Sequence, residues 1–431
     1  MKDIQIHIHD FGPLHEVRFQ LAPMMIFTGM SSLGKSYANY VAYYTISSIS
    51  GDVLERIVSS KFDKEAKEQS FEISTHEIEQ TLHSGVEAYM QSFLGDDNIR
   101  CNVDFHIGGK ETHSFKVKEI AFSEDDYVGT ASSRYRSKWE YTYNGETSQF
   151  YSNNGDLWTK VLFVVNNKIC VSLFNNLLTY CPILPPARGA FVGENYSMKS
   201  KVSSSLGMYR QFLNDYDQGV QFSEKHAIRN EEFFNKAMEK LLEGRLVNEK
   251  DKQYLQLANG QQIALTAAAS SIKELSPFLF YLKNYRGYHM SFCFEEPEAH
   301  LHPKMQVALA DLVAASLNLN IFFQITTHSD YFLQRLNQLI KLGTLKKKSE
   351  EKFKEICSQC NIDEHCSIDA KNVKAYYFHR NEDGNVDIDD MSISEEGIPF
   401  RSFFDVATEL QQREDEINDA LYELSEQEEK A

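Results

Sequence analysis

The sequence predicts an α/β fold with a mostly parallel sheet, a β-rich lobe and a helical insertion. Residues 29–36 read Gly-Met-Ser-Ser-Leu-Gly-Lys-Ser, which matches the phosphate-binding loop G-x-x-x-x-G-K-S. An apolar run at 24–28 precedes the loop and a glycine-free, largely apolar stretch at 37–49 follows it, so the motif has the strand and the helix that it requires. Apolar runs at 290–294 and 321–325 predict two further buried strands.

The phosphate loop predicts a binding site for ATP and Mg²⁺. Its glycines let successive backbone N–H groups surround an anion, and the following helix directs its positive end at the phosphates. Lys35 can reach the β- and γ-phosphates, and the Ser36 hydroxyl can bind Mg²⁺. The residues predicted to contact the nucleotide are Gly29, Met30, Ser31, Ser32, Leu33, Gly34, Lys35, Ser36 and Tyr37.

The strand at 290–294 leads into two adjacent carboxylates, Glu295 and Glu296. Ligands bind beyond the carboxyl ends of strands in open α/β sheets, so these acids are candidates for the rest of the site. We expect Glu295 to bind Mg²⁺ and Glu296 to act as general base toward the attacking water. The strand at 321–325 ends in Thr-Thr-His-Ser, where His328 is placed to contact the γ-phosphate.

Composition excludes several classes of protein. With 431 residues, the chain is long enough for two or three structural lobes. Charged residues make up 25% of it, and no stretch approaches the ~20 apolar residues of a membrane span, so we expect no membrane partner. Seven cysteines and an N-terminus without a signal pattern predict a cytoplasmic protein. The net charge of −18 does not indicate nucleic-acid binding, although a local basic groove stays open.

The spacing of the motifs separates this chain from small GTPases and typical AAA+ proteins, because Glu295 follows Ser36 by 259 positions. Chains with heads of the ATP-binding-cassette (ABC) type insert a lobe and a helical segment there. Glu-Glu-Pro-Glu-Ala-His-Leu-His-Pro at 295–303 and Thr-Thr-His-Ser at 326–329 resemble motifs of the overcoming-lysogenization-defect-like (OLD-like) ATPases, a group related to RecF and SMC. Leu-Pro-Pro-Ala-Arg at 184–188 is similar to another segment of that group.

The resemblance covers the phosphate loop and roughly residues 180–335, and it implies an ABC-type P-loop ATPase head. In this group ATP lies between two heads, so we expect a homodimer or a higher oligomer of dimers. A serine-containing segment of one protomer contacts the γ-phosphate bound to the other, and Ser270 corresponds to it here. The glycine of the group's Ser-Ser-Gly is missing in Ala269-Ser270-Ser271, and Glu295 stands where an Asp is common.

The resemblance and the changes of composition and predicted secondary structure along the chain predict four parts. Residues 1–50 form the N-terminal part of the head with the phosphate loop, and 51–180 form an inserted helical and β-rich lobe. Residues 181–335 form the C-terminal part of the head, with the signature-like helix, the acidic strand and the histidine. Residues 336–431 read as a Lys-rich linker, a β-hairpin and an acidic C-terminal helix that we expect to dock on its own domain. Residues 51–98 of the lobe are polar and expected to be helical, and strand-like pieces are expected at 102–107, 114–120, 141–143 and 161–165.

Many relatives continue into a Toprim nuclease domain, but the residues after 329 carry no such pattern. Asp387-Ile388-Asp389 has a D-x-D spacing, yet the Gly-Glu strand that should precede it is missing. The chain therefore resembles the stand-alone ATPase subunits of the PARIS and Septu antiphage systems. The resemblance implies a defence ATPase that gates a separate effector, such as a Toprim or HNH nuclease.

Three other functions stay open on the sequence. A RecF/SMC-like DNA-repair ATPase would bind DNA directly, for example through Lys346-Lys347-Lys348, with an affinity that depends on salt. An ATP-regulated OLD-type nuclease would cleave DNA by itself, and a nucleotide-binding scaffold would hardly hydrolyse ATP. Cys357, Cys360, His365 and Cys366 come near a zinc-knuckle spacing, but adjacent His365 and Cys366 could hardly both reach one tetrahedral ion.

Overall fold

The structure, a computed structural model, describes residues 1–109, 111–121, 137–152, 157–192, 207–221, 231–249, 252–285, 289–395, 397–399 and 401–429. The strands in these ranges are β1 (Ile4–Phe11), β2 (Leu14–Gln20), β3 (Met24–Gly29), β4 (Glu68–Ser74), β5 (Cys101–Ile107), β6 (Thr112–Ile120), β7 (Ser137–Tyr143), β8 (Glu146–Ser152), β9 (Ile183–Leu184), β10 (Gly244–Glu249), β11 (Lys252–Leu257), β12 (Gln262–Ala264), β13 (Ser291–Glu295), β14 (Phe322–Thr326), β15 (Val373–Arg380) and β16 (Val386–Asp390). The helices are α1 (Lys35–Ile49), α2 (Asp52–Ser59), α3 (Thr75–Leu94), α4 (Leu157–Phe174), α5 (Gly207–Gln221), α6 (Glu231–Leu242), α7 (Ser270–Tyr285), α8 (Pro303–Leu317), α9 (Asp330–Lys348), α10 (Glu350–Cys360) and α11 (Arg401–Glu429).

A six-stranded sheet forms the centre of the molecule, in the order β16-β15-β3-β14-β13-β9. Its neighbouring strands are parallel except for the pair β15–β16, so the predicted mostly parallel α/β fold is confirmed. Strands β3, β13 and β14 are buried over their whole length, as strands covered on both faces must be. Helix α1 packs against the same three strands.

The register of the central strands brings their carboxyl ends to one edge of the sheet. Thr326 at the end of β14 pairs with Glu295 of β13 on one side and with Phe27 of β3 on the other. On the far side of β3, Phe378 of β15 pairs with Gly29. The phosphate loop, the two acids and the Thr-Thr-His-Ser segment therefore leave the sheet side by side.

Three smaller antiparallel sheets complete the described fold, in the orders β2-β1-β5, β4-β6-β7-β8 and β10-β11-β12. The four-stranded sheet belongs to the segment predicted as a β-rich lobe. Strand β5 of that segment pairs instead with β1, so the lobe and the N-terminal residues share a sheet. The division of the chain into four parts stays a prediction.

Two expectations for the inserted lobe are wrong. Residues 161–165 lie in helix α4, where the buried Val161, Val165 and Ile169 recur every four positions, as on one face of a helix. Strand β4 lies in the segment expected to be helical. The sequence does not reveal this strand, because only Phe71 and Ile73 of it are buried and so short an alternation is not recognisable. The strands expected at 102–107, 114–120 and 141–143 are confirmed within β5, β6 and β7.

Helix α4 is the only helix in the described ranges with the length and apolar composition to cross a membrane. Only 33% of it is buried. A single such helix is weak evidence for a membrane span, because a core helix of a soluble protein can have the same length and apolar composition. Helix α4 packs against α2 and β8, and its Leu173 carbonyl oxygen accepts a hydrogen bond from the Lys2 backbone N–H at 2.7 Å.

The segment expected to be a Lys-rich linker is helical, in α9 and α10. The three lysines that end α9 each contact a residue of the same chain: Lys347 pairs with Asp369 at 2.6 Å, Lys348 pairs with Glu395, and Lys346 lies 5.0 Å from the centre of the Phe353 ring. Lysines in the last turn also complement the negative end of a helix. These charges are therefore engaged within the fold.

The C-terminal hairpin and helix are confirmed, but their contacts differ from the expectation. Strand β15 is part of the central sheet, beside the phosphate-loop strand β3. Residues 408–422 of α11 are exposed, so this part of the helix does not dock on the described residues of its own domain. Its apolar side chains Leu410, Ile417 and Leu421 are 58%, 60% and 60% exposed.

Candidate functional site

The phosphate loop lies between two packed segments that leave its glycines no room for a side chain. A Cβ atom on Gly29 would lie 2.2 Å from the carbonyl oxygen of Phe378 in β15. A Cβ atom on Gly34 would lie 2.6 Å from Leu14, at the start of β2. Both glycines also have positive φ values, 121° and 87°, which L side chains rarely adopt. The loop conformation is therefore held from both sides by the fold.

Helix α1 presents an open N-terminus to this loop. Its N-cap is Gly34, no described side chain caps it, and its first turn holds no acidic residue. The first N–H groups of a helix need acceptors from outside the helix, and the positive helix end favours an anion. The local structure therefore fits the predicted phosphate site.

Lys35 is buried beneath the loop. Its Nζ donates hydrogen bonds to the carbonyl oxygens of Met30 at 2.5 Å and Gly29 at 3.1 Å. Burial lowers the pKa of Lys35 to about 8, and the carboxylates of Glu296 and Glu295 oppose that decrease. A bound phosphate would add the strong counter-charge that this buried ammonium group lacks.

Ser36 and Glu295, the two predicted Mg²⁺ ligands, are in contact. The Ser36 hydroxyl donates to Oε2 of Glu295 at 2.5 Å, and Asn39, three positions further along α1, donates to Oε1 at 2.6 Å. Burial raises the pKa of the Glu295 carboxyl group, and the hydrogen bonds oppose this increase. A hydroxyl oxygen and a carboxylate oxygen are ligands that Mg²⁺ prefers, so the residues present fit the ion.

Glu296 differs from its neighbour in exposure and backbone conformation. Its side chain is exposed, whereas Glu295 is only 1% exposed. The φ of Glu296 is 42°, in the left-handed region, and its N–H donates to the carbonyl oxygen of Thr326 at 3.0 Å. Such a conformation costs about 1–3 kcal/mol and is concentrated at functional sites. The turn thus leaves one acid buried and the next one accessible.

Glu298 holds the Thr-Thr-His-Ser segment in place. Its Oε1 accepts hydrogen bonds from the Thr327 hydroxyl at 2.8 Å and from the His328 N–H at 2.7 Å. The His328 side chain remains exposed, and partial burial together with the charge of Lys35 lowers its pKa, while Glu296 opposes the decrease. His328 is therefore close enough to feel both charges, and its imidazole is mostly neutral near pH 7.

A buried arginine connects the acid pair to helix α7. Arg188 is fully buried, and its Nη1 donates to the carbonyl oxygen of Glu295 at 2.8 Å. Its Nε donates to the carbonyl oxygen of Glu274 at 2.9 Å and lies 3.6 Å from the carboxylate of the same residue. The guanidinium group also lies over the Phe294 ring at 4.8 Å. The start of α7 is therefore coupled to the strand end that carries the acids.

Ser270 and Tyr37 lie at the border of the site. Ser270 is exposed and is the first residue of α7, so it stands at a helix N-terminus that is open to solvent. Its connection to the acid pair of the same chain runs through α7 and Arg188. Tyr37, the last predicted loop residue, packs its ring against Phe11 with centroids 4.6 Å apart.

The cysteine-containing segment at 357–366 does not gather a set of metal ligands. His365 contacts Asp363 at 2.6 Å, and Cys360 is exposed while Cys357 is buried. Over the described ranges, the only group of three His, Cys, Asp or Glu ligand atoms within 4.8 Å of one another lies elsewhere, on β1 and β5.

A comparison with protein families indicates an ATPase. The family model for an AAA ATPase domain matches residues 190–333. This stretch contains Ser270, Glu295, Glu296 and His328 but not the phosphate loop, so the loop motif is a separate observation. No curated protein matches the sequence.

The chain is similar to solved head domains of SMC proteins. An SMC head bound to the C-winged helix domain of ScpA is 12% identical, with a TM-score of 0.39, and the match covers 91% of this chain and 98% of that chain. An SMC head domain from Thermotoga maritima is 10% identical, with a TM-score of 0.34, and the match covers 91% of this chain and 100% of that chain. An SMC head with an extended coiled coil bound to the C-terminal domain of ScpA, derived from Pyrococcus furiosus, is 10% identical, with a TM-score of 0.33. That match covers 96% of this chain and 99% of that chain. Likeness at this level transfers neither an activity nor a partner to this chain.

Sequence reasoning assigns no role to Asn39, Arg188 or Glu298, although each of them positions a predicted residue. Arg188 and Glu298 stand inside segments that the sequence already singles out, Leu-Pro-Pro-Ala-Arg and Glu-Glu-Pro-Glu. Asn39 follows Ser36 by three positions, which places both side chains on one face of a helix. That spacing is the signal that could have identified it.

Lys35 predicts a pH dependence of ATP binding. Phosphates stabilise its charged form, so its pKa is higher in the complex than the value of about 8 without ligand. Near pH 7 the lysine is already protonated, whereas above about pH 8 binding must take up a proton and the affinity falls as pH rises. Calorimetry in two buffers of different ionisation enthalpy should show an uptake that approaches one proton at about pH 9.5.

The Lys35→Arg variant is the matched control, because its guanidinium group stays charged over this range. Its residual ATP binding should take up no additional proton between these pH values. An equal uptake by both proteins would assign the proton to a group other than Lys35.

Proposed function

We propose that this chain is an ATP-binding and ATP-hydrolysing subunit of an antiviral defence complex, in which ATP lies between two heads and controls a partner effector. The contact of Ser36 with Glu295 carries the ATPase part of this proposal, because it joins the phosphate loop to the acid pair. The AAA ATPase match over residues 190–333 supports it independently. The defence role rests on the resemblance of the motifs to those of antiphage ATPases.

Each predicted residue has a defined task in this proposal. The loop backbone and Lys35 bind the phosphates and hold them in one orientation. Ser36 and Glu295 would hold Mg²⁺, which when bound neutralises negative charge on the phosphate oxygens. The accessible carboxylate of Glu296 orients a water molecule and accepts its proton, and the neutral imidazole of His328 donates a hydrogen bond at the γ-phosphate position.

A second copy of the chain completes the site in this proposal. Ser270 stands at an exposed helix N-terminus, where backbone N–H groups favour an anion from outside the protomer. Arg188 couples that helix to the carbonyl oxygen of Glu295, so contact with a facing head would reach the acid pair through packed groups. We therefore expect each nucleotide to contact the phosphate loop of one head and the partner's Ser270.

Mixing two inactive variants tests this arrangement. Lys35→Ala disables the loop side of the site on its own head, and in a mixed dimer Ser270→Arg on the other head disables the facing side of that same site. In a one-to-one mixture, about half of the dimers carry both variants and each of these has one intact composite site, so about a quarter of the wild-type ATPase rate should return. The rate is measured as phosphate release, with each variant alone as the baseline.

The mixture of Lys35→Ala with Glu296→Gln is the matched control. Both changes affect the loop-and-acid side, so every site in a mixed dimer carries one of them and no activity should return. Equal recovery in the two mixtures, or none in either, would contradict a shared site while leaving ATP binding by one head untouched.

Helix α11 supports the proposal of a separate effector. Leu410, Ile417 and Leu421 form an exposed apolar stripe, and residues 401–429 contain ten acidic and two basic residues. An equally acidic second copy would be repelled, whereas an apolar strip bordered by lysines or arginines would fit. We propose that the effector protein, a Toprim or HNH nuclease by the resemblance, presents such a strip.

A DNA-repair ATPase of the RecF/SMC type is the second candidate function. The net charge of −18 and the engagement of Lys346-Lys347-Lys348 within the fold weaken it. Direct binding of DNA with an affinity that falls steeply as salt rises would support it. Mg²⁺-dependent cleavage of DNA by the purified chain alone would instead support an OLD-type nuclease.

We place the protein in the cytoplasm. All seven cysteines have free thiols, which suits a reducing compartment. Burial raises the pKa of Cys101 and Cys170 to about 12, so these thiols are protonated and resist oxidation.

A further inference from the structure

Outside the nucleotide site, imidazole and carboxylate groups gather on the face of the β2-β1-β5 sheet. His7, His9 and Asp104 each offer one ligand atom, and these atoms lie within 4.8 Å of one another. No other group of this kind is found in the described parts of the chain. Two histidines with a carboxylate are a common ligand set for divalent transition metals, so the cluster calls for a chemical explanation.

The strand geometry places these three residues together. His7 and His9 stand two positions apart on β1, so their side chains lie on the same face of the strand. Asp104 of β5 pairs directly with His7. The β1–β5 register shifts between Ile8 and Asp10, a bulge that displaces His9 along the partner strand. His9 Nε2 then lies 2.9 Å from Oδ2 of Asp104.

Glu16 of β2 adds a fourth group from a third strand. Its two carboxylate oxygens lie 2.8 Å from His7 Nε2 and 3.0 Å from His9 Nδ1. The φ of Glu16 is 54°, a left-handed conformation that glutamate rarely adopts. The backbone thus holds this carboxylate over both imidazole rings, whose centroids are 3.9 Å apart.

A further histidine orients the carboxylate of Asp104. His83 of α3 lies 3.2 Å from Oδ1, whereas His9 contacts Oδ2. The His83 nitrogen in this contact, Nδ1, also lies 2.9 Å from the carbonyl oxygen of Val103, which holds the His83 ring beside Asp104. Neighbouring polar groups commonly orient metal ligands in this way. The cluster therefore has groups that can ligate and a group that orients a ligand, on three strands and one helix.

We propose that His7, His9 and Asp104 bind a divalent transition-metal ion of the Zn²⁺ class, and that Glu16 orients the two imidazole rings. Two imidazole nitrogens and one carboxylate oxygen make up a three-residue ligand set of the type that Zn²⁺ accepts, with a fourth position left for water. The ion would link β1 to β5, and so tie the predicted inserted lobe to the N-terminal strands, while Glu16 joins β2 to the two imidazole rings. Because Leu14 at the start of β2 packs against Gly34, the linked sheet also borders the phosphate loop.

Calorimetric titration of Zn²⁺ into the full, chelator-treated chain tests this site. The titration contains excess Mg²⁺ and no nucleotide, so that Zn²⁺ does not bind to Ser36 and Glu295. A Cys360→Ser background removes the exposed thiol as a competing Zn²⁺ ligand. We expect one Zn²⁺ per chain and an affinity that falls at least about tenfold in His9→Ala and in Asp104→Asn. Zn²⁺ should also raise the midpoint of thermal unfolding of the wild-type chain but not of the variants.

His15→Ala is the matched control, because His15 lies on the same hairpin and pairs with Asp10 at 3.0 Å outside the cluster. It should bind Zn²⁺ as the wild-type chain does. No saturable binding, unchanged binding in His9→Ala, or an equal loss in His15→Ala would overturn the proposal and leave the cluster as a network of ion pairs. Circular dichroism confirms that each variant is folded, and the outcome does not depend on ATP hydrolysis.

Discussion

Replacing Glu296 by Gln should lower the turnover number for ATP by about 10²–10⁴-fold while ATP remains bound. The amide keeps the size of the side chain at the accessible end of β13 but cannot accept a proton from water. Lys35, which is expected to bind the nucleotide, keeps its hydrogen bonds to the loop carbonyl oxygens, and Ser36 and Glu295, the expected Mg²⁺ ligands, keep their contact. Phosphate release measures the turnover, and binding of a fluorescent ATP analogue measures the affinity.

The control for this prediction is Glu382→Gln, which removes an exposed carboxylate in the turn between β15 and β16. It should leave both the turnover and the affinity unchanged. Normal hydrolysis by Glu296→Gln would show that another group activates water. Loss of ATP binding by this variant would instead give Glu296 a role in holding the nucleotide.

Replacing Arg188 by Ala should lower the free energy of unfolding by about 3–5 kcal/mol, because it leaves the carboxylate of Glu274 buried without its partner. Arg188 is 0% and Glu274 is 4% exposed, so solvent cannot take over the lost contact. The carbonyl oxygen of Glu295 loses its hydrogen bond from Nη1 in the same variant. Urea unfolding followed by circular dichroism measures the change.

A double variant separates the buried charge from the other contacts of Arg188. Arg188→Met combined with Glu274→Leu removes both charges and keeps most of the volume, so it should recover much of the stability that Arg188→Ala loses. Its ATP turnover should stay below that of the wild-type chain, because the carbonyl oxygen of Glu295 still lacks the hydrogen bond from Arg188. A loss below about 1 kcal/mol in Arg188→Ala would contradict the assigned energy of this contact. Full turnover in the double variant would contradict the coupling of α7 to the acid pair.

The local chemistry of the phosphate loop and the acid pair was determined by the sequence itself. Gly29, Gly34 and Lys35 act through backbone conformations and a charge that belong to eight contiguous residues, so their pattern can be recognised without the fold. The buried strands β3, β13 and β14 were equally recognisable, because a strand covered on both faces is a short, continuous apolar run. The mostly parallel sheet followed from the same runs.

Helix α4 shows where this kind of recognition ends. The apolar residues at 161–165 fit either a strand or a helix, and a short apolar run does not distinguish the two. In the structure these residues are helical, and helix α4 packs against α2 and β8. The exposure of α11 likewise depends on whether another surface is available to cover it, which an amphipathic pattern alone does not state.

Only the tertiary structure decided which distant residues support the local chemistry. Arg188 reaches the carbonyl oxygens of Glu274 and Glu295 across 86 and 107 positions, and Asn39 reaches Glu295 across 256. His7 meets Asp104 only because β5 pairs with β1 in one particular register. Which distant strands pair, and which residues then meet, arises from the packing of the whole chain, because the alternation within a strand indicates only which of its faces is buried.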